Sequence, residues 1–191
     1  MGKWNRPSLL GAGLFCVAAG LALSRRGTTV GTMLMAVAVV IALGMLIASV
    51  LHRRLCRAVD NARARRPDAV VIPAYTTGEM VELGHSVGAS VQGWMSQGGN
   101  PIAIAVRADR IEVWSGREPE PRWSVARADI EEIDLFTSVY GARGVDVLGV
   151  RAAAGGLLFV PAYRPLRNMG GSDAAGLQRA LQDLGGPVRV G

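Results

Sequence analysis

The sequence is poor in the residues that carry most protein chemistry. Its 191 residues include only two histidines, His52 and His85, and only two cysteines, Cys16 and Cys56. Neither histidine has a His, Cys or carboxylate neighbour at the spacing of a zinc site or a nucleophilic triad. Two cysteines in or beside apolar segments exclude a disulfide framework and read as free thiols. Phe15 precedes Cys16 where a lipoprotein signal needs a small residue, and Cys56 offers at most an acylation site at an interface. No G-x-x-x-x-G-K-[ST] phosphate loop occurs, and Ser90, Ser96 and Ser115 lack the strand-turn-helix setting of a nucleophile elbow. These absences point away from catalysis, and no metal or cofactor is expected.

A basic face is also missing from most of the chain. From Ala69 onward eleven arginines meet thirteen carboxylates, whereas up to Asp68 ten basic residues face only Asp60 and Asp68. The net positive charge therefore belongs to the N-terminal third. Without a basic groove, Trp94, Trp114 and Trp123 read as core or rim packing and not as a stacking platform, so no nucleic-acid partner is expected.

What the chain has in abundance is apolar sequence. Residues 30–51, VGTMLMAVAVVIALGMLIASVL, carry no charge, are long enough to cross a bilayer as one helix, and are apolar all round. A shorter apolar run at residues 9–23 follows Lys3, Trp4 and Arg6, the arrangement of either a first span or a cleaved secretory signal. The poor small-residue cleavage site and the second run close behind Arg25 and Arg26 favour a helical hairpin. Its spans are expected at about 9–24 and 29–51 within a 1–51 membrane unit, with Gly11, Gly13 and Gly20 facing Gly31, Ala36 and Gly44.

Residues 52–68 are basic, and Arg53, Arg54, Arg57, Arg63, Arg65 and Arg66 outweigh Arg25 and Arg26, so both termini are expected in the cytoplasm. Leu51, Leu55, Val59 and Ala62 recur at helical spacing, which predicts a juxtamembrane amphipathic helix ended by Pro67. The six arginines are candidate contacts to anionic lipid headgroups, each contributing on the order of 1 kcal/mol near a charged leaflet. The alternative is that they fix topology alone.

From residue 69 to 186 the pattern becomes that of strands. Val70, Val71 and Ile72 form an extended run closed by Pro73, and residues 80–83 read as a short strand. Gly98-Gly99-Asn100-Pro101 reads as a turn. Ile102, Ile104 and Val106, then Ile111 and Val113 up to Trp114, alternate around Arg107-Ala108-Asp109-Arg110, predicting a β-hairpin with one buried face. One strand is expected from Trp123 and Val125 through Asp129 into Ile130, Ile133 and Leu135. Asp129, Glu131, Glu132 and Asp134 on it read as a solvated face, not a paired active site. A loop at residues 140–144 leads to a strand with Val145, Val147, Leu148 and Val150, and residues 157–160 form the last strand before Pro161. Ser172 is the expected N-cap of a helix with Leu177, Ala180, Leu181 and Leu184 on one face, stopped by Gly185-Gly186. Gly170-Gly171 reads as the entry to that helix, not as an anion site. Residues 187–191 form a tail.

Antiparallel strands followed by a C-terminal helix, with the wording AIAVRADRIEVWSG, then RWSVARADIEEIDLF, then LQRALQDL, resemble bacterial integral membrane proteins that carry a pleckstrin-homology-like domain. The resemblance covers roughly residues 69–184. It implies an α+β chain: a two-helix transmembrane hairpin, then a bent antiparallel sheet or barrel capped by its C-terminal helix. It also implies a plasma-membrane location and a non-enzymatic module that binds membrane components or proteins. Residues 84–90, GHSVGAS, hold no basic cluster of the kind with which phosphoinositide-binding relatives grip their ligand. The expected function is a membrane-anchored binding or scaffolding domain that meets anionic lipids and a protein partner, with self-association through sheet edges left open. The alternative is an accessory subunit of a membrane transporter or envelope-synthesis complex that acts through its helices.

Overall fold

The computed structural model describes residues 29–140, 143–153, 155–168, 171–186 and 188–189. The chain divides into two units, Met1–Leu51 and His52–Gly191. The first expected span, about 9–24, and with it the hairpin, lie outside the described residues.

Helix α1 runs Thr29–Arg65, and its stretch Gly31–Arg65 is long and apolar enough to cross a membrane. Within the first unit Met33, Leu34, Val37, Val40, Ile41, Leu43 and Leu46 are all exposed, and they cover most of the helix circumference. So large an apolar surface exceeds what a water-soluble monomer normally presents.

The second unit is α+β. Its strands are β1 (Val70–Thr77), β2 (Gly98–Val106), β3 (Arg110–Trp114), β4 (Trp123–Ala126), β5 (Ile130–Tyr140), β6 (Arg143–Ala152), β7 (Gly155–Pro161) and the two-residue β8 (Val188–Arg189). They form one curled antiparallel sheet in the order β4-β3-β2-β1-β7-β6-β5-β8. Helix α2 (Gly78–Ser86) follows β1, a single turn α3 (Pro165–Asn168) follows β7, and α4 (Ala174–Asp183) comes next. On the inner face Ile72, Ile102, Ile104, Ile111, Ile133, Leu148 and Phe159 pack with Met80 of α2, with Ala180 of α4 and with Leu184 at its C-cap. Burying each large side chain of this kind contributes about 1.5–3 kcal/mol.

The alternation that predicts β2 and β3 holds, with its turn at residues 107–109, but the expectation of one buried face does not. Residues 102–106 are all buried. The last turns of α1 lie on the outer face, where Ala58, Val59 and Ala62 pack on Val71, Ala103, Ala105 and Trp114. The helical repeat of Leu55, Val59 and Ala62 is thus satisfied by protein: these turns form a third layer over the sheet.

Other local expectations are corrected by neighbouring chemistry. Residues 80–83 belong to helix α2 because Thr77 caps it, its hydroxyl oxygen accepting from Met80 N at 3.1 Å while donating to Leu158 O at 2.9 Å. β1 runs through Pro73: its carbonyl takes the Ala162 N–H, and β7 pairs only from Ala74 onward, so the missing proline N–H leaves no gap in the ladder. Gly98 to Pro101 lie in β2, where Gly98 and Gly99 adopt positive φ beside a break in register between Tyr75 and Thr77. Residue 140 ends β5 and residue 143 starts β6, so the expected loop there is shorter.

The expected strand from Trp123 to Leu135 is two strands. A 3₁₀ turn, Arg127–Asp129, breaks it, and β4 then pairs β3 while β5 pairs β6 near the other end of the sheet. Arg127 fixes the pivot, donating to Arg107 O at 3.2 Å and to Leu184 O at 2.8 Å, the latter among the last carbonyls of α4. The N-cap of α4 is Asp173, whose carboxylate accepts from Gly176 N at 2.8 Å; Ser172 donates instead to Asp146 O. Gly185 and Gly186 close α4 as expected, with positive φ and bonds back to Gln182 O and Leu181 O.

Candidate functional site

The basic segment at the end of α1 is where sequence and structure concentrate charge. Leu55, Ala58, Val59 and Ala62 face the sheet, so the helical period turns Arg53, Arg54, Arg57, Arg63 and Arg65 outward, and all five are exposed. None of them forms an ion pair among the described residues.

Arg66 is different. One residue past the helix, its Nε and NH2 donate to the two carboxylate oxygens of Glu112 at 2.8 and 3.1 Å, and its guanidinium lies 5.3 Å from the Trp114 ring centroid. Glu112 is 2% exposed, on the sheet's outer face. It also accepts from Trp114 Nε1 at 3.1 Å and lies 3.9 Å from Arg107, which pairs with Asp68 at 3.4 Å. The Arg66 guanidinium is held above its ordinary pKa, first by the hydrogen bonds to Glu112 and then by the carboxylates around it. A bidentate, partly buried pair of this kind fixes geometry as well as charge. The six expected lipid-contact arginines therefore divide into five that face water and one that clamps the segment after α1 to β3.

Beside this clamp, Leu55 packs with Tyr75, Val147, Val160 and Ala162, and Tyr140 borders the cluster. Tyr75 is 1% exposed, its ring 6.4 Å from that of Tyr140, and its hydroxyl finds no hydrogen-bond partner among the described residues. Burial, then the neighbouring Tyr140 and Cys56, push its phenol up to about 12 from an ordinary 10.0. The phenol is neutral below its pKa, and the unfolded chain releases this proton first. Tyr75's contribution to stability is therefore full below pH 10 and is lost as pH rises toward 12. Burial raises Tyr140 and Tyr163 as well, so difference absorbance at the phenolate band during an alkaline titration should show one fewer late-ionising tyrosine in Tyr75→Phe than in wild type.

The remaining candidates stay apart. His85 is exposed near the end of α2, and Glu79, Glu82, Leu83 and Ser86 of the same helix line an open depression of about 410 Å³. Glu132 pairs with Arg151 at 3.1 Å, and Asp129 and Glu131 are exposed. Trp114 and Trp123 are buried on opposite faces of the sheet, and the Arg122 guanidinium lies 5.4 Å from the Trp94 ring centroid. Among the described residues no three His, Cys, Asp or Glu side chains converge as metal ligands.

No family model, curated protein or solved structure matches this chain. Its functional reading therefore rests on its own geometry. The residue that sequence reasoning missed is Glu112. Flanked by Ile111 and Val113, it looks like the wet side of an edge hairpin, and only the small residues Ala103 and Ala105 across the ladder hint that a helix lies there.

Proposed function

We propose that this chain is a membrane-anchored, non-enzymatic protein whose sheet unit is a pleckstrin-homology-like binding module on the cytoplasmic side of a bacterial plasma membrane. One observation carries the reading. A helix with exposed apolar side chains around most of its circumference continues into turns that carry five exposed arginines, the charge order of a span ending at a cytoplasmic leaflet. The curled antiparallel sheet and the C-terminal helix α4 support a module of this type. The five arginines supply attraction for anionic headgroups, while Arg66 keeps the adjoining chain on the sheet.

Cysteine accessibility tests the placement. A single cysteine at exposed Arg117, in the full chain with Cys16→Ser and Cys56→Ser, should stay in the alkali-washed membrane fraction. It should react with an impermeant maleimide only after the membrane is opened. Release by the alkaline wash, or labelling in intact cells, would overturn the anchor or the orientation respectively.

A further inference from the structure

We propose that the outer edge of β5 pairs with the same edge of a second copy of this chain, forming a two-fold antiparallel continuation of the sheet. β6 pairs with β5 along its length, but β8 covers the other side only opposite Glu132 and Ile133. Residues 135–140, LFTSVY, have no strand on that side among the described residues. They contain no charge and no proline, the residues that normally keep an edge from acquiring a neighbour. The opposite edge is protected by brevity, since β4 has four residues and follows Pro119 and Pro121.

Backbone direction says what fits. In an antiparallel strand each residue turns both its N–H and its C=O to one side, and alternate residues turn to opposite sides. The Leu135 N–H is taken by the neighbouring Asp134 side chain at 2.8 Å, so it points away from β6, and Thr137 and Val139 share its direction. Leu135 and Val139 are also 45% and 55% exposed. An incoming strand would pair with Thr137 and Val139 and cover the apolar side chains beside them.

Charge and register favour a second copy. A two-fold axis beside Ser138 sets Thr137 opposite Val139 of the second copy and Phe136 opposite its Tyr140, and the paired stretch contains no charge. Glu131, Glu132 and Asp134 fall outside it, so the acidic cluster never meets its own image. An axis one residue earlier would set Tyr140 of the second copy opposite Asp134, against the place that Val188 holds opposite Ile133, and would bring an acidic side chain into the paired stretch. The axis at Ser138 clears it.

Full-length protein with Cys16→Ser and Cys56→Ser tests this in detergent micelles. Differently tagged Thr137→Cys and Val139→Cys chains, mixed and oxidised, should yield disulfide heterodimers. Either variant alone should yield few, because like positions sit two residues out of register, beyond the roughly 7 Å that a disulfide spans. Thr137→Lys should halve the mass measured by light scattering while leaving the circular dichroism unchanged. A monomeric wild type, heterodimers no more abundant than the homodimers of single variants, or a Thr137→Lys chain of undiminished mass would overturn the proposal.

Discussion

Replacing Arg66 with alanine is expected to lower the unfolding free energy of the sheet unit by about 3 kcal/mol. The cost comes from what remains. Glu112, 2% exposed in the wild-type protein, would keep Trp114 Nε1 and have Arg107 only at 3.9 Å. An ionised carboxylate left so poorly compensated loses more than a surface ion pair ever supplies. Glu112→Gln should cost less, about 1–2 kcal/mol, because its amide oxygen still accepts from Trp114 while Arg66, 31% exposed, can turn to water. The double variant should fall well short of the sum, since each change removes the same contact. Urea unfolding curves of the four proteins give the cycle. Additive losses would show that Arg66 and Glu112 act independently.

The second large effect belongs to Gly98. It sits at the start of β2 with φ +83, and a Cβ there would lie 2.7 Å from Thr76 O and 2.8 Å from Gly78 N. Those atoms are backbone and cannot swing aside. Gly98→Ala therefore combines left-handed strain with displacement of β1, and a loss of at least about 3 kcal/mol is expected. The damage should spread to Thr77, which caps α2, and to Asn100, whose side chain bonds Thr76 at 2.8 Å and Met95 N at 2.7 Å. Gly116→Ala is the control: φ is +58 but nothing lies within 4 Å of the added atom, so only the strain of about 1 kcal/mol should register. Equal melting temperatures for the two variants would show that the close approach at Gly98 is unimportant.

Much of the sheet was readable because its rules are local. Ile102 to Trp114 announce a hairpin by alternation and a polar turn, and Leu177, Ala180 and Leu184 announce α4 by period and by the glycines behind them. What could not be read depends on partners far along the chain. The stretch at residues 80–83, MVEL, is too short to show a period; the Thr77 cap makes it a helix, and that cap is itself held by Leu158, 81 residues away. The break after Ala126 is fixed by Arg127 reaching Leu184 O. At the candidate site the arginine cluster was visible as composition. Its division into five outward residues and one clamp was not, because it follows from a glutamate 46 positions later.

The two-sided burial of β2 changes what holds its register. In a strand with one wet side, a slip by one residue is penalised because apolar side chains reach water. β2 has no wet side between residues 102 and 106, so polarity cannot enforce its alignment. Volume does. A slip would carry Ile102 and Ile104 beneath Ala58 and Ala62, into a space that admits only Ala103 and Ala105, and the strand is keyed by size where its neighbours are keyed by water.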